Sequence, residues 1–398
     1  MKAKLFRFQQ YMFCHIQRLI PWPEPEVIQG EGSVNRIPEL LEANQTDRVL
    51  VITTAGTIRR GTLNPLFHKM KEKKIAYEIF DQVMPNPTID CIEAVTKQYR
   101  DTSCQAIVAI GGGSVLDCAK IVGARVVKPS QSISQMKGML KIHKKLPDMY
   151  LVPTTAGTGS EITVAAVVTD SKTHIKYAVA DICLLPKYAI LDSELTKGLS
   201  PSLTAETGMD ALTHAVEAYI NRYSDKEAND RAKKAVKMIF DNLQEAYDHG
   251  DNMEAREQML EASFEAGRSF TRAYVGYVHA IAHALGGKYN IAHGLANAVI
   301  LPVVLEAYGG SAHESLAELA DYIGLEGTTT KEKAELFISE IRQTNSYMGL
   351  PMSLDMIKDE DIKEMARRAC KEANPAYPVP EIWDQKKMEA VIKLVSGK

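Results

Sequence analysis

Asp210 and His214 stand four residues apart in a segment whose apolar residues Leu212, Ala215, Val216, Tyr219 and Ile220 recur at helical spacing. A carboxylate and an imidazole would therefore share one helix face. His279 and His283 repeat that spacing, and His293 follows ten residues later, between Ala292 and Gly294. The chain has ten histidines, and three of them fall within residues 279–293. A single histidine is ordinarily a hydrogen-bonded core or surface residue. One aspartate with three or four histidines is instead a good ligand set for Fe(II) or Zn(II). Glu217 adds a second carboxylate seven residues after Asp210, and spacing alone leaves open which of these residues are ligands. The His279–His283 pair superficially matches a zinc-protease helix. The position after the first histidine is Ala280, however, where such a hydrolase needs its glutamate base.

Two loops offer a different chemistry. Gly111-Gly112-Gly113-Ser114 follows the apolar run QAIVAI directly and opens a helical pattern. Glycines at such a joint let a phosphate approach backbone N–H groups at the positive end of a helix. The spacing is not the GxGxxG fingerprint, since the third glycine would fall at Leu116. The second loop, PTTAGTGSE at 153–161, also follows a strand-like run and is dense in hydroxyls and glycines. Both loops would lie at the carboxyl ends of parallel strands, where open α/β sheets bind ligands.

The elements that must position these residues divide the chain in two. Strand-like runs at 48–54, 75–80, 105–110 and 149–152 alternate with helical patterns at 62–74, 88–100 and 115–126. That alternation predicts βα units and a parallel sheet. Shorter strands are expected at 165–169, 177–180 and 189–191, and an early one around 25–30. Beyond residue 200 helical periodicity dominates, with segments near 226–248, 253–270, 275–287, 295–307, 330–347 and 359–373. The reading is an α/β nucleotide-binding domain over 1–195 and an all-helical metal- and substrate-binding domain over 196–398. Residues 1–24 form an atypical extension of the first domain, closed by the Pro21-Trp22-Pro23-Glu24-Pro25 punctuation.

Apolar residues make up 45% of the chain and charged residues 24%, as in ordinary globular proteins, so disorder is excluded as the main state. The net charge of −3 argues against a protein built to coat nucleic acid or an anionic membrane. Six cysteines without a CxxC pair read as reduced thiols in a cytoplasmic protein.

Four motifs, in this order and spacing, resemble the iron-containing (group III) alcohol dehydrogenase family: GGGSVLDCAK at 111–120, PTTAGTGSE at 153–161, GMDALTHAVEAY at 208–219 and VHAIAHALGGKYNIAHGLANAVILP at 278–302. MPNPT at 84–88 and Cys370 with Asn374-Pro375 also resemble family positions. The resemblance implies the dehydroquinate synthase-like fold of that family, with metal and substrate between an α/β domain and a helical domain. It implies Asp210, His214, His279 and His293 as metal ligands and His283 as a catalytic residue near the nicotinamide. It assigns Gly112, Gly113, Ser114 and Asp117 to one cofactor loop and Thr154, Thr155 and Thr158 to the other. Thr54, Asn86 and Lys176 fall at further cofactor positions, and Thr163, Phe270 and Cys370 at substrate-pocket positions. Thr271, Arg272 and Tyr274 depart from the asparagine and glycine that relatives often carry there.

The activity implied is a hydride transfer between a nicotinamide cofactor and a small primary alcohol, diol or aldehyde. Four protein ligands with room left for substrate suit Fe(II) better than Zn(II), which is the alternative ion. NAD-preferring relatives commonly place an acid after the first strand. Here that region reads Thr53-Thr54-Ala55-Gly56-Thr57 with Arg59 and Arg60 following, which predicts acceptance of NADP(H), and a preference for it over NAD(H). The competing readings are a polyol dehydrogenase or lyase on the same scaffold, a metallohydrolase, and a non-catalytic nucleotide-binding subunit. A homodimer or larger homo-oligomer is expected, with no nucleic-acid or membrane partner.

Overall fold

The computed structural model describes residues 2–18, 22–172 and 176–398. The expected helices and strands appear in the expected order, and several elements that the sequence patterns did not single out join them; the first is a helix, α1 (Lys2–Arg18), formed by residues placed in the extension. The chain divides into two compact units.

The first unit spans residues 22–198. Its strands are β1 (Glu26–Gln29), β2 (Arg48–Ile52), β3 (Ala76–Phe80), β4 (Ala106–Gly111), β5 (Gly138–Met139), β6 (Met149–Pro153), β7 (Ala165–Thr169), β8 (Lys176–Ala180) and β9 (Tyr188–Leu191). Its helices are α2 (Ile37–Ala43), α3 (Ala55–Arg60), α4 (Asn64–Glu72), α5 (Ile89–Asp101), α6 (Gly113–Val127) and α7 (Ile133–Met136). Six strands form one sheet in the order β1-β9-β6-β4-β2-β3, and every pairing in it is parallel. Val49–Ile52 and Ile107–Ile110 are fully buried, as a sheet covered on both faces requires. β5, β7 and β8 form a separate small sheet in which β7 and β8 run antiparallel.

From β2 the chain steps outward to β3, then returns to the other side of β2 to place β4 and the later strands. The order therefore reverses between β2 and β4, and the carboxyl ends of those strands are the switch point where such sheets take ligands. Thr53 Oγ1 donates to Ile110 O at 2.7 Å and ties the two strand ends together there.

The second unit comprises residues 199–398 together with α1. Its helices are α8 (Pro201–Ile220), α9 (Lys226–Asp248), α10 (Met253–Ala273), α11 (Tyr277–Tyr289), α12 (His293–Tyr308), α13 (His313–Ile323), α14 (Thr330–Tyr347), α15 (Asp359–Ala373) and α16 (Gln385–Val395). Ser200, Asp225 and Asn252 cap α8, α9 and α10 by accepting from the backbone N–H three residues on. α12 is buried along most of its length and is apolar enough to cross a membrane by length and composition. Here it packs against α8, α11 and α14, as a helix that is apolar all round must.

The early residues 2–18 thus belong to the helical unit and not to the α/β domain, because α1 turns its polar side inward. Arg7 donates to Val379 O and Pro380 O at 2.6 and 2.8 Å, and Gln10 Nε2 donates to Tyr377 O at 2.7 Å. Leu5, Phe8 and Met12 point outward. Hydrogen bonds to main-chain carbonyls therefore do much of the work of fastening α1.

Candidate metal centre and nucleotide loops

In the helical unit, α8, α11 and α12 bring Asp210, His279 and His293 together. One ligating atom from each lies within 4.8 Å of the others. Asp210 and His279 are almost fully buried, at 3% and 2% exposure, while His293 is half-buried. His214 is one helical turn from Asp210, and its ring stacks on His279 with centroids 4.5 Å apart. It lies beside the convergent trio and outside it. Phe270 covers the other face of His214 at 4.2 Å.

Glu217 sits behind the trio. Its Oε2 is 2.6 Å from His279 Nδ1, and its Oε1 accepts from Val278 N at 2.7 Å. A carboxylate on Nδ1 turns the His279 Nε2 lone pair toward the trio, the usual outer support of a ligating imidazole. Burial, followed by the neighbouring imidazoles, pushes the His279 pKa well below its ordinary value, so the ring is a neutral donor. Burial also raises Glu217, to about 7. Gly276 is fitted to this carboxylate, since a Cβ there would stand 2.7 Å from Glu217 Oε1.

Asn297, four residues after His293 on α12, completes the cluster. Its Nδ2 donates to Asp210 Oδ1 at 2.7 Å and lies 3.2 and 3.3 Å from the Nε2 atoms of His293 and His279. One amide thus faces three acceptors that all aim at the same place. Three convergent lone pairs from one carboxylate and two imidazoles fit a divalent transition-metal ion. Sequence reasoning did not single out Asn297, although its i,i+4 spacing from His293 was a usable signal.

The His279–His283 pair does not act as one unit. His283 turns its Nδ1 to Glu372 Oε1 at 2.7 Å and stacks its ring on His293, with centroids 5.2 Å apart. Cys370 lies on the same helix as Glu372, and burial pushes its thiol up to about 11, so it is neutral.

Tyr274 explains the departure before the third candidate ligand. It adopts φ 64° and ψ 171°, a conformation that favours glycine. Asn221 Nδ2 reaches the carbonyls of Ala273, Tyr274 and Val275 at 3.0, 3.1 and 3.0 Å and holds the turn. The Tyr274 ring lies near Phe13 of α1 and near Tyr377, with centroids 6.1 and 6.5 Å away.

In the α/β unit the two loops stand side by side, because β4 and β6 pair with Gly111 opposite Pro153. Thr154 N donates to Gly111 O at 3.0 Å. A Cβ on Gly113 would lie 2.7 Å from Thr158, and one on Gly112 would lie 3.4 Å from Thr155. Those glycines therefore let the loops touch and leave the N-terminus of α6 open to an anion. Asn86, at φ 59°, donates its backbone N–H to Ser114 Oγ at 3.1 Å. Thr54 caps α3 and meets Thr57, whose hydroxyl accepts from Arg60 at 3.2 Å. Lys176 opens β8, where burial lowers its pKa.

Two expected contact residues are committed inward. Asp117 accepts from Ser160 Oγ at 2.7 Å and from Val167 N at 2.9 Å, so its carboxylate ties α6 to the second loop. Thr163 is buried, and its hydroxyl and carbonyl accept from the fully buried Lys120 at 2.9 and 2.7 Å. Its side chain braces the loop rather than lining an open pocket. Glu161 is buried beside them, and burial raises its pKa to about 7.

A profile described as iron-containing alcohol dehydrogenase matches residues 24–193, and one for the C-terminal part of that family matches residues 204–395. The 1,3-propanediol dehydrogenase of Klebsiella pneumoniae is 35% identical over 370 residues, 92% of this chain and 95% of the relative. The NADPH-dependent butanol dehydrogenase of Clostridium saccharobutylicum is 33% identical over 332 residues, 83% of this chain and 84% of the relative. The solved alcohol dehydrogenase of Oenococcus oeni superposes with a TM-score of 0.90 at 31% identity, covering 94% of this chain and 99% of that one. α1 precedes the first matched region.

Two predictions follow from these neighbourhoods. Replacing Glu217 by Gln removes the anionic anchor of His279, and metal affinity measured by chelator competition should fall about 10–100-fold. Unchanged affinity would show that Glu217 does not support the ion. Glu161 is raised to about 7, so the folded state keeps a proton that the unfolded chain releases near its ordinary value of 4.5. Its contribution to stability is present at low pH and is lost as pH rises through 7. Urea unfolding of the nucleotide-free protein at pH 5 and pH 8 should therefore show Glu161→Gln gaining on the parent, on the order of 2 kcal/mol, between those values. An equal gap at both pH values would refute the buried-acid account.

Proposed function

The chain belongs to the iron-containing alcohol dehydrogenase family, and we propose that Asp210, His214, His279 and His293 hold its metal ion while His283 serves as its proton relay. The protein is an NAD(P)-dependent alcohol dehydrogenase that interconverts alcohols and aldehydes. The observation that carries the site assignment is the convergence of Asp210, His279 and His293 within 4.8 Å in a buried helical interior. His214, stacked on His279 beside them, is the fourth candidate ligand.

The bound ion supplies Lewis-acid polarisation of the substrate oxygen, and the nicotinamide supplies the hydride chemistry. The protein's own contribution is positioning and proton handling. Glu217 and Asn297 orient the lone pairs of the ligand set. Phe270 shields His214 with an apolar face, and the neutral Cys370 thiol adds no charge to the pocket. The hydroxyl proton released on oxidation of the alcohol leaves by way of His283, directly or through water, and returns the same way on aldehyde reduction. The backbone N–H groups of Gly112–Ser114 at the α6 terminus receive the cofactor's diphosphate. Thr154, Thr155 and Thr158 add hydroxyl donors, and Thr54, Asn86 and Lys176 complete the cofactor side. Asp117 acts there through its bond to Ser160. Arg60, drawn to the Thr57 hydroxyl after β2, supports acceptance of a 2′-phosphate and hence of NADPH. The substrate class is a short primary alcohol, a diol or the corresponding aldehyde, in keeping with the propanediol and butanol relatives. The assembly is a homodimer or larger, for which β1 supports a role as an edge strand bearing the exposed Val27.

Protein purified anaerobically and loaded with Fe(II) should oxidise NADPH with butanal, at a higher kcat/KM than NADH. The rate should vanish with chelator and fall at least 100-fold in His279→Ala. A strong NADH preference would overturn the Arg60 argument, and activity surviving in His279→Ala would overturn the ligand assignment. Light scattering at micromolar concentration should give at least twice the monomer mass; a monomer would refute the assembly.

A further inference from the structure

Glu372 has no role among the ligand or cofactor positions, yet it is the hydrogen-bond partner of the residue read here as the proton relay. It projects from α15, which packs along α11. Its Oε1 stands 2.7 Å from His283 Nδ1 and accepts from Tyr377 Oη at 3.0 Å. One oxygen thus meets two donors from two directions, which fixes the carboxylate better than either contact alone. Burial, followed by the nearby Glu372 charge, pushes the Tyr377 phenol well above its ordinary value, so it remains a donor.

Tyr377 is itself fastened. Its carbonyl accepts from Gln10 of α1 at 2.7 Å, and Arg7 holds the carbonyls of Val379 and Pro380 two and three residues on. The other side of the Tyr377 ring faces Tyr274. A chain of contacts therefore runs from α1 through Tyr377 and Glu372 to His283, all inside the helical unit.

An imidazole has two nitrogens and, when neutral, only one proton. A carboxylate oxygen against Nδ1 keeps that proton on Nδ1 and leaves the Nε2 lone pair as the basic site. Without such a partner the ring is free to take the other tautomer or to rotate about its side-chain torsions. We propose that Glu372 is a positioning residue that holds His283 as the Nδ1–H tautomer with Nε2 presented for proton transfer. The inference rests on the reading of His283 as the proton relay and adds the element that orients it.

The test uses the full-length zinc-loaded protein, which is diamagnetic, with 15N-labelled histidine. In the parent, the His283 resonances should show a protonated Nδ1. Glu372→Ala should lose that signature, and kcat for aldehyde reduction should fall about tenfold with KM within about twofold. Glu372→Gln retains an acceptor oxygen for Nδ1–H and should recover most of the rate and the signature. Tyr377→Phe frees one side of the carboxylate and should produce a smaller loss of the same kind, which keeps the idea testable if Glu372→Ala folds poorly. Parental kcat in Glu372→Ala overturns the proposal. So does a lost rate with an unchanged tautomer, a rise in KM alone, or a Glu372→Gln variant no better than alanine. His283→Ala separates the two readings: full activity there refutes the proton relay itself, whereas lost activity with indifferent Glu372 variants refutes only the positioning role.

Discussion

Three electron-pair donors aimed at one point inside a protein repel one another unless something positive or proton-bearing stands among them. That constraint shapes the helical unit. Asp210, His279 and His293 come from three different helices, so their convergence depends on how α8, α11 and α12 pack. Burial favours it only if the imidazoles stay neutral and the carboxylate keeps a partner. Asn297 meets the second need by donating to Asp210 while facing both Nε2 atoms. Burial and the neighbouring imidazoles meet the first for His279, while Glu217 takes its Nδ1–H on the side that does not face the trio. Removing Asn297 leaves the buried Asp210 oxygen without its donor, and removing Glu217 leaves the buried His279 Nδ1–H without its acceptor; either is costly.

The α/β unit solves the opposite problem, exposing donors instead of gathering acceptors. Its parallel sheet delivers β4 and β6 side by side, so the loops that follow them emerge together at the carboxyl edge. Glycine at 113 is required because Thr158 already occupies the space a side chain would need. Behind the loops, buried charges do structural work. Lys120 spends its donors on Thr163 and Ala165, and Asp117 spends its acceptors on Ser160 and Val167. Such a network is stable only when its members are satisfied, and it fixes the loop from within.

Much of this was legible in the residues. Strand runs such as Arg48–Ile52 and the glycine joint at 111–113 carry their own signals, because a parallel strand and a phosphate loop are local in sequence. The helical spacing of Asp210 and His214, and of His279 and His283, puts each pair one turn apart on a single helix, α8 and α11. It does not show which partner each takes. Glu217 and His279 are 62 residues apart, and His283 and Glu372 are 89 apart, so their pairing exists only after the helices pack. Asp117 and Thr163 look like ligand contacts by motif but are consumed internally, a distinction that depends on Lys120 and Ser160 lying behind them. The N-terminal residues look like an extension because Gln9, Gln10, His15, Gln17 and Arg18 interrupt their apolar run. α1 reverses the usual arrangement: Arg7 and Gln10 face the unit while Leu5 and Phe8 face outward.

The division of labour within one helix also separates dehydrogenase from hydrolase chemistry. A hydrolytic zinc helix uses both histidines of an i,i+4 pair as ligands and the residue after the first as its base. In α11 the first histidine joins the trio, the next residue is the buried Ala280, and the second histidine turns to Glu372. No carboxylate on that helix is placed to activate water. A histidine beside a carboxylate–imidazole ligand set instead suits a reaction in which an alcohol must lose one proton and one hydride. The proton needs a titratable side chain, which α11 provides. The hydride needs a cofactor, and the paired glycine and threonine loops of the α/β unit have the donors to hold one.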